Sequence, residues 1–330
     1  MEKRMTCCIL ALILVLFCLP SCRKNEKRTD LFYGMGTPVS VTLYGTEQAA
    51  QAGFALVRST VAELDGLWSL TVADSDISRL NRSADGIADA DARTAALIGQ
   101  AITLSRETGG SFDITLAALS ALWQQCGAED RLPTEAELSE RLAQVGTAEL
   151  HVDGTAIGKR DGQQVDLGAI AKGAAATVLT GQLAEIDGLS GGLVSFGSCI
   201  SCFGVKPDGS SFRVSVRDPK DTGGIAGTLA LSPGQVLSVS GDYERFVTIG
   251  GRNYHHILDP KTGYPTQSGL SSVAVITQDG ATADALSTAF MVMGEEAALA
   301  FYRAGTVPFE AVFIRSDGTV ICTDLMDFQN

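Results

Sequence analysis

The chain has 330 residues, 45% hydrophobic and 19% charged, enough to bury one large core or two modest ones and too apolar for a disordered chain. Its formal charge of −13 excludes the broad basic face that nucleic-acid binding needs, so no nucleic-acid partner is expected. An anionic ligand has to be held locally, by a metal ion or by backbone N–H groups.

Lys3 and Arg4 precede an apolar run from Cys8 to Leu19, too short to span a bilayer comfortably, which reads as the core of a secretory signal. Leu19-Pro20-Ser21-Cys22 resembles a bacterial lipobox, although Pro20 departs from the small residue usual there. This reading gives a lipoprotein signal peptide over 1–21, a membrane anchor through lipidated Cys22, and a polar, basic tether over 22–30 near anionic headgroups. An uncleaved anchor helix is the alternative; either one puts the body outside the cytoplasm, and the periplasmic side of a bacterial inner membrane is the expected location. Beyond the signal, Cys126, Cys199, Cys202 and Cys322 remain. Cys199-Ile-Ser-Cys202 has C-x-x-C spacing without thioredoxin-like surroundings, so packed thiols or an incidental disulfide are favoured over a redox motif.

In chain order, Gly34-Met35-Gly36-Thr37 leads into an alternating strand over 38–45, and a helix follows from an N-cap at Thr46 to about Leu67. A second helix spans 91–108 and stops at Gly109-Gly110; a third opens with a capping-box pattern at Thr134 and closes by Gly146. Short strands begin at Glu149, and an alanine-rich helix spans about 168–185. Strands are expected at 192–199, 212–217, 225–231, 236–240, 244–249, 253–258 and 270–277, separated by glycine-rich turns. Helices at 281–293 and 295–303 and a hairpin over 309–323 complete the chain. The expected fold is α+β, a largely antiparallel sheet with packed helices, forming one unit over 31–330 in two lobes with the ligand site between them.

Several segments look built for chemistry. Tyr254 to Pro265, YHHILDPKTGYP, holds two of three histidines in a rigid, turn-rich loop; strand alternation lets only one of His255 and His256 face a given pocket. Gly109 to Thr115 exposes a ring, a carboxylate and hydroxyls after a helix end. Asp166-Leu-Gly-Ala-Ile-Ala-Lys-Gly173 allows close backbone approach at a helix start, with Lys172 as a point charge. Asp284 and Thr288, four apart, share a helix face and suit Mg²⁺ once other oxygens join them. Each taken alone also has an ordinary structural reading: a hairpin exit, a glycine C-cap, an alanine-packed helix and a first-turn carboxylate.

Together, Met35-Gly36-Thr37, Ser111-Phe-Asp-Ile-Thr115, Asp166 to Gly173, Ser240 to Arg245, His255 to Pro265 and Ala283 to Thr288 resemble the ApbE family, the FAD:protein FMN transferases. The resemblance implies that family's fold, FAD as substrate and Mg²⁺ on its pyrophosphate. Carried over by position, Met35, Ser111, Phe112, Asp113, Asp166, Lys172, His256 and Ile257 line the flavin nucleotide site. The Ala169 carbonyl, Asp284 and Thr288 hold the metal, and His256 or Asp284 takes the proton of an attacking hydroxyl. FMN then passes from FAD to a Thr or Ser of an acceptor redox protein, and AMP leaves. Ser195-Phe196-Gly197-Ser198 departs from the family's Asn-x-Gly-Gly type loop, and Thr71 stands where an aromatic is common. Asp279-Gly280-Ala281-Thr282 resembles the context that such enzymes modify in their targets, but Thr282 reads more simply as a helix N-cap. Two alternatives share these residues: a Mg²⁺-dependent FAD pyrophosphatase, and a non-catalytic FAD-binding lipoprotein.

Overall fold

The computed structural model of the chain describes residues 25–221 and 223–329; the signal segment and Cys22 lie outside the described residues. No helix among the described residues is long and apolar enough to cross a membrane. In chain order the elements are β1 (Glu26–Gly34), β2 (Thr37–Gly45), α1 (Glu47–Trp68), α2 (Asp76–Arg82), β3 (Gly86–Ile87), α3 (Ala92–Glu107), α4 (Ala117–Ala128) and α5 (Glu135–Leu142). They continue with β4 (His151–Asp153), β5 (Ala156–Gly158), α6 (Ala171–Ala184), β6 (Leu189–Ser195), β7 (Cys199–Gly204), β8 (Phe212–Arg217), β9 (Ile225–Leu231) and β10 (Val236–Gly241). The last are β11 (Phe246–Ile249), β12 (Arg252–His255), β13 (Leu270–Thr277), α7 (Gly280–Ala304), β14 (Glu310–Arg315), β15 (Val320–Cys322) and β16 (Phe328–Gln329).

An eight-stranded antiparallel sheet in the order β1-β2-β6-β7-β10-β13-β14-β15 is the frame. Alternation in its strands supplies two apolar faces. One face packs on α1, α6 and α7, burying Val39, Val41, Leu43, Val273 and Val275 with the helices. The other packs on the three-stranded sheet β16-β9-β8, through Cys202, Leu237, Ala274 and Ile276 against Phe212, Val214 and Leu229. A smaller core joins α4 and α5 to the β11–β12 hairpin. The largely antiparallel α+β expectation therefore holds.

Four local expectations are corrected. Residues 26–30, read as tether, are the first half of β1, paired in register from Glu26↔Gly45 to Gly34↔Thr37. Their polar composition hid a strand because its partners are distant: Arg28 donates to the Gly45 carbonyl at 3.1 Å and Asp30 pairs with Arg58 at 2.7 Å. The single strand expected over 192–199 is two strands joined by a turn at Phe196-Gly197-Ser198, where Gly197 takes φ 75°. Helix α4 was not anticipated; its start carries no side-chain cap, although Leu119, Leu122, Trp123 and Cys126 have helical spacing. The N-cap of α7 is Asp279, whose carboxylate accepts from the Thr282 N–H at 2.7 Å, and not Thr282 itself. Gly294, at φ 79°, breaks α7 where two helices were expected to meet.

The strand split decides the cysteine question. Cys199 and Cys202, three apart in β7, point to opposite faces, into the helix-side core and the core under the three-stranded sheet. Side chains so directed cannot close a disulfide, and both thiols are free. Burial pushes the Cys199 thiol well up and the Cys202 thiol up to about 12, so both are poor nucleophiles. Iodoacetamide on the native protein is expected to leave both unmodified, as read by peptide mass. Modification of either without unfolding would contradict this packing.

Candidate active site

A cavity of about 1090 Å³ opens at one end of the large sheet. Its walls come from the β1–β2 turn (Met35), the loop after α1 (Leu70), the segment before α6 (Asp166), the β6–β7 turn (Ser198), β8 (Arg217) and the loop after β10 (Glu244). The turn at Met35-Gly36 has positive φ at both residues, 49° and 70°, the two-residue form whose twist matches a hairpin. A methionine in that conformation is strained by about 1 kcal/mol or more. Its N–H points to Asp65 Oδ2 at 3.4 Å, which holds it at the cavity wall.

Beside this cavity α6 and α7 cross closely enough for one carboxylate to bridge them. Gly173 and Gly280 allow it: a Cβ on Gly173 would lie 1.8 Å from the Gly280 carbonyl oxygen. Asp284, on the first turns of α7, then receives the Gly173 N–H on Oδ2 at 3.2 Å and the Ser238 hydroxyl of β10 on Oδ1 at 2.7 Å. Lys172 stands 3.6 Å from Oδ2 and donates to the Gly168 carbonyl at 2.7 Å. One turn further, Thr288 Oγ1 lies 3.2 Å from Ser240 Oγ, which also meets Ser287 Oγ at 2.8 Å. Because Gly173 spends its N–H on Asp284, the Ala169 carbonyl that it would otherwise face receives no backbone hydrogen bond. A free carbonyl, a carboxylate and a hydroxyl form a hard-oxygen set that fits Mg²⁺ completed by water or phosphate oxygens. No cluster of three or more His, Cys, Asp or Glu capable of holding a metal by itself occurs among the described residues.

The remaining residues singled out from sequence fall into two groups. Asp166 and Lys172 line the cavity with Met35. Asp166 closes an Asx turn on the Gly168 N–H at 2.7 Å and its own N–H donates to Ile114, which brings the 111–115 segment alongside. Phe112 and Ile257, in contrast, are core residues; Ser111 and Asp113 are buried, and Asp113 accepts from the Thr115 N–H at 2.7 Å. Burial raises the Asp113 carboxyl against the opposing bonds from Thr115.

The 255–265 loop is fixed from outside. Trp123 Nε1 donates to the Gly263 carbonyl at 2.7 Å, with Tyr254 and Tyr264 packed on the indole at 5.3 and 5.5 Å. The two histidines part as alternation requires. His255 Nε2 lies 2.9 Å from the Thr266 carbonyl and lines a separate cavity of about 350 Å³. His256 Nδ1 lies 3.1 Å from the Arg245 carbonyl. A carbonyl only accepts, so Nδ1 carries the proton and Nε2 keeps its lone pair. His256 has an exposed edge, yet desolvation of the rest of the ring, and then the Arg245 charge, depress its pKa to about 4. Solvent at that edge moderates the shift without changing its direction.

The expected consequence is a neutral His256 throughout the physiological range. Because the folded pKa lies below the unfolded value of about 6.5, its contribution to stability is full above that value and is lost as pH falls toward about 4. An NMR titration of the ring should place its midpoint well below the ordinary imidazole value; a midpoint near 6.5 would refute the shift.

Glu244 and Arg217 carried no individual role in the sequence reading, and both line the cavity. Burial raises the Glu244 carboxyl, opposed by the charges of Lys172, Arg245 and Arg217 and reinforced by that of Asp284. Glu244 therefore shares the electrostatic neighbourhood of the Lys172–Asp284 pair. Glu244 lay within the quoted Ser240–Arg245 motif, but only the closed fold shows which centre it joins.

Cavity, lysine, buried carboxylate and free carbonyl together define an α+β protein with a polar ligand site at the end of its large sheet. The ApbE family model matches residues 35–313, and the chain belongs to the ApbE family. It is similar to the FAD:protein FMN transferase of Vibrio cholerae, 31% identical over 317 residues and 92% of both chains. It is also similar to the FAD:protein FMN transferase of Treponema pallidum, 31% identical over 295 residues, covering 82% of this chain and 79% of the relative. Among solved structures, the apo flavinyl transferase ApbE of Pseudomonas stutzeri superposes with TM-score 0.78 at 28% identity, covering 92% of this chain and 96% of that one. The ApbE protein of Thermotoga maritima gives TM-score 0.82 at 28% identity, covering 90% and 96%.

Proposed function

We propose that this chain transfers FMN from FAD to a Thr or Ser hydroxyl of an acceptor redox protein and releases AMP. The observation that carries the reading is the Lys172–Asp284 pair beside the free Ala169 carbonyl, at the edge of a polar cavity where Lys172, Arg217 and Arg245 stand among Asp65, Asp166 and Glu244. Lys172 sits where it can offset the charge of a bound diphosphate. The acceptor oxygen forms a bond to the FMN-side phosphorus, the bond from that phosphorus to the bridging oxygen breaks, and AMP departs with the bridging oxygen. The hydroxyl proton goes to His256 Nε2, whose lone pair is free but whose depressed pKa makes it a weak base, or to the Asp284 carboxylate. The Ala169 carbonyl, Asp284 and Thr288 would hold Mg²⁺, which when bound supplies further charge neutralisation at the pyrophosphate. Acylation of Cys22 would tether the enzyme outside the cytoplasm, where its acceptor proteins would also reside.

The test incubates the protein with FAD, Mg²⁺ and an exported redox protein as acceptor. In-gel flavin fluorescence of the acceptor together with free AMP is the expected result. Free FMN and AMP without labelling would show hydrolysis, and unchanged FAD would show binding alone.

A further inference from the structure

Exposed large apolar side chains gather where the cavity meets the edge of the sheet. Tyr33, Leu70 and Val72 are 72%, 44% and 42% exposed and all line the cavity rim. Leu31, 68% exposed, lies two residues before Tyr33 on the same strand face. Register places Ser40 opposite Leu31 and Pro38 opposite Tyr33, so four exposed residues form a continuous strip on β1 and β2. The opposite face of β1 is occupied: Arg58 pairs with Asp30 and stacks on Phe32 at 4.5 Å. Along the exposed face, the three-stranded sheet reaches β2 at Tyr44, 6.0 Å from Phe212, at the other end from the cavity. β1 is also the end strand of the large sheet, with no neighbour on its outer side among the described residues.

Proteins usually blunt such an edge with charge, proline or a bulge. Here the charges, Glu26, Lys27, Arg28 and Asp30, lie in the far half of the strand, the Leu31 N–H donates to Asp30 Oδ1 at 2.9 Å and is freed by rotation of that side chain, and the apolar pair lies next to the cavity. A patch of this kind, continuous with a site whose substrate is another polypeptide, fits that polypeptide better than solvent.

We infer that the free edge of β1, with its Leu31–Tyr33 face, receives an extended segment of the acceptor protein by strand addition and delivers its hydroxyl over Tyr33 into the cavity. The inference rests on the transferase reading above. Main-chain hydrogen bonds along β1 give affinity with little sequence demand, and alternate side chains of the acceptor strand meet Leu31 and Tyr33. The hydroxyl-bearing residue then falls beyond the Met35-Gly36 turn, where the cavity opens.

The probe is a free peptide with the sequence of residues 277–284, which carries Asp-Gly-Ala-Thr. Wild-type protein with FAD and Mg²⁺ is expected to label it with FMN and, on peptide addition, to slow amide exchange in β1. Leu31→Asp and Leu31→Lys, opposite in charge at an exposed site, should each raise KM for the peptide by about tenfold or more with kcat and FAD affinity unchanged. Ile225→Asp, at a 61% exposed site on β9, should change neither. Wild-type KM in both Leu31 variants would overturn the docking surface while leaving the transferase reading intact. So would a loss shared by Ile225→Asp, a change in FAD affinity, or an effect confined to self-association or vesicle binding. A wild-type protein that releases FMN and AMP yet never labels the peptide would overturn the transferase reading and the docking surface together.

Discussion

Asp284→Asn is expected to lower FMN transfer by about a thousandfold, close to 4 kcal/mol of barrier, while leaving the fold intact. The side chain is 5% exposed and receives donors from two elements, Ser238 on β10 and Gly173 on α6, with Lys172 3.6 Å away. An amide of the same shape keeps one acceptor for Ser238 but turns an NH₂ toward the Gly173 N–H and the lysine. It also removes the only carboxylate of the proposed cation set. Asp284→Ala adds a structural cost: it leaves Ser238 and Gly173 without their acceptor and Lys172 without its counter-charge. Breaking such a pair from one side typically costs about 3–5 kcal/mol. The two variants therefore separate chemistry from folding. Turnover at saturating FAD, with urea unfolding on the same samples, checks the pair. Turnover of Asp284→Asn within tenfold of wild type would remove Asp284 from the catalytic centre.

The legibility of this centre was uneven, for physical reasons. Asp284 and Thr288 share a face because helices repeat every 3.6 residues, and that could be read locally. Their partners could not. Ser238 and Ser240 reach them only because β10 lies under α7, some forty-six residues apart in sequence at the Ser238–Asp284 bond. Glu244 and Arg217 become neighbours of Lys172 only once β8 and the loop after β10 wall the same cavity. The fold divides in the same way. Strands with buried alternate residues, such as β8 with Phe212, Val214 and Val216, announce themselves by period two. β1, an edge strand with polar and exposed residues, reads as tether until its register with β2 is known. Asp113 shows the limit within a motif: the same carboxylate that suggests ligand contact also satisfies its own turn at Thr115.

Gly173→Ala should be the most damaging change that removes no functional group. The added Cβ would sit 1.8 Å from the Gly280 carbonyl oxygen and 2.9 Å from the Asp284 Cβ, so the first contact is backbone that no rotamer can clear. Gly280 is hemmed in reciprocally, since a Cβ added there would lie 2.1 Å from the Gly173 carbonyl oxygen, so the helices must separate for either glycine to gain a side chain. Overpacking of a tight core costs about 1–3 kcal/mol, and a clash against backbone belongs at the upper end or beyond. Separation of α6 from α7 also withdraws the Gly173 N–H from Asp284 and releases it to the Ala169 carbonyl, restoring an ordinary helical bond and consuming the oxygen left free for a cation. The change should thus lower the urea midpoint and, in the protein that stays folded, weaken Mg²⁺-dependent FAD turnover by about a hundredfold. Ala174→Gly, one residue along and only half-buried, should cost no more than about 1 kcal/mol and spare turnover. If Gly173→Ala matched wild type in both measurements, the close crossing of the two helices would not be what places the carboxylate.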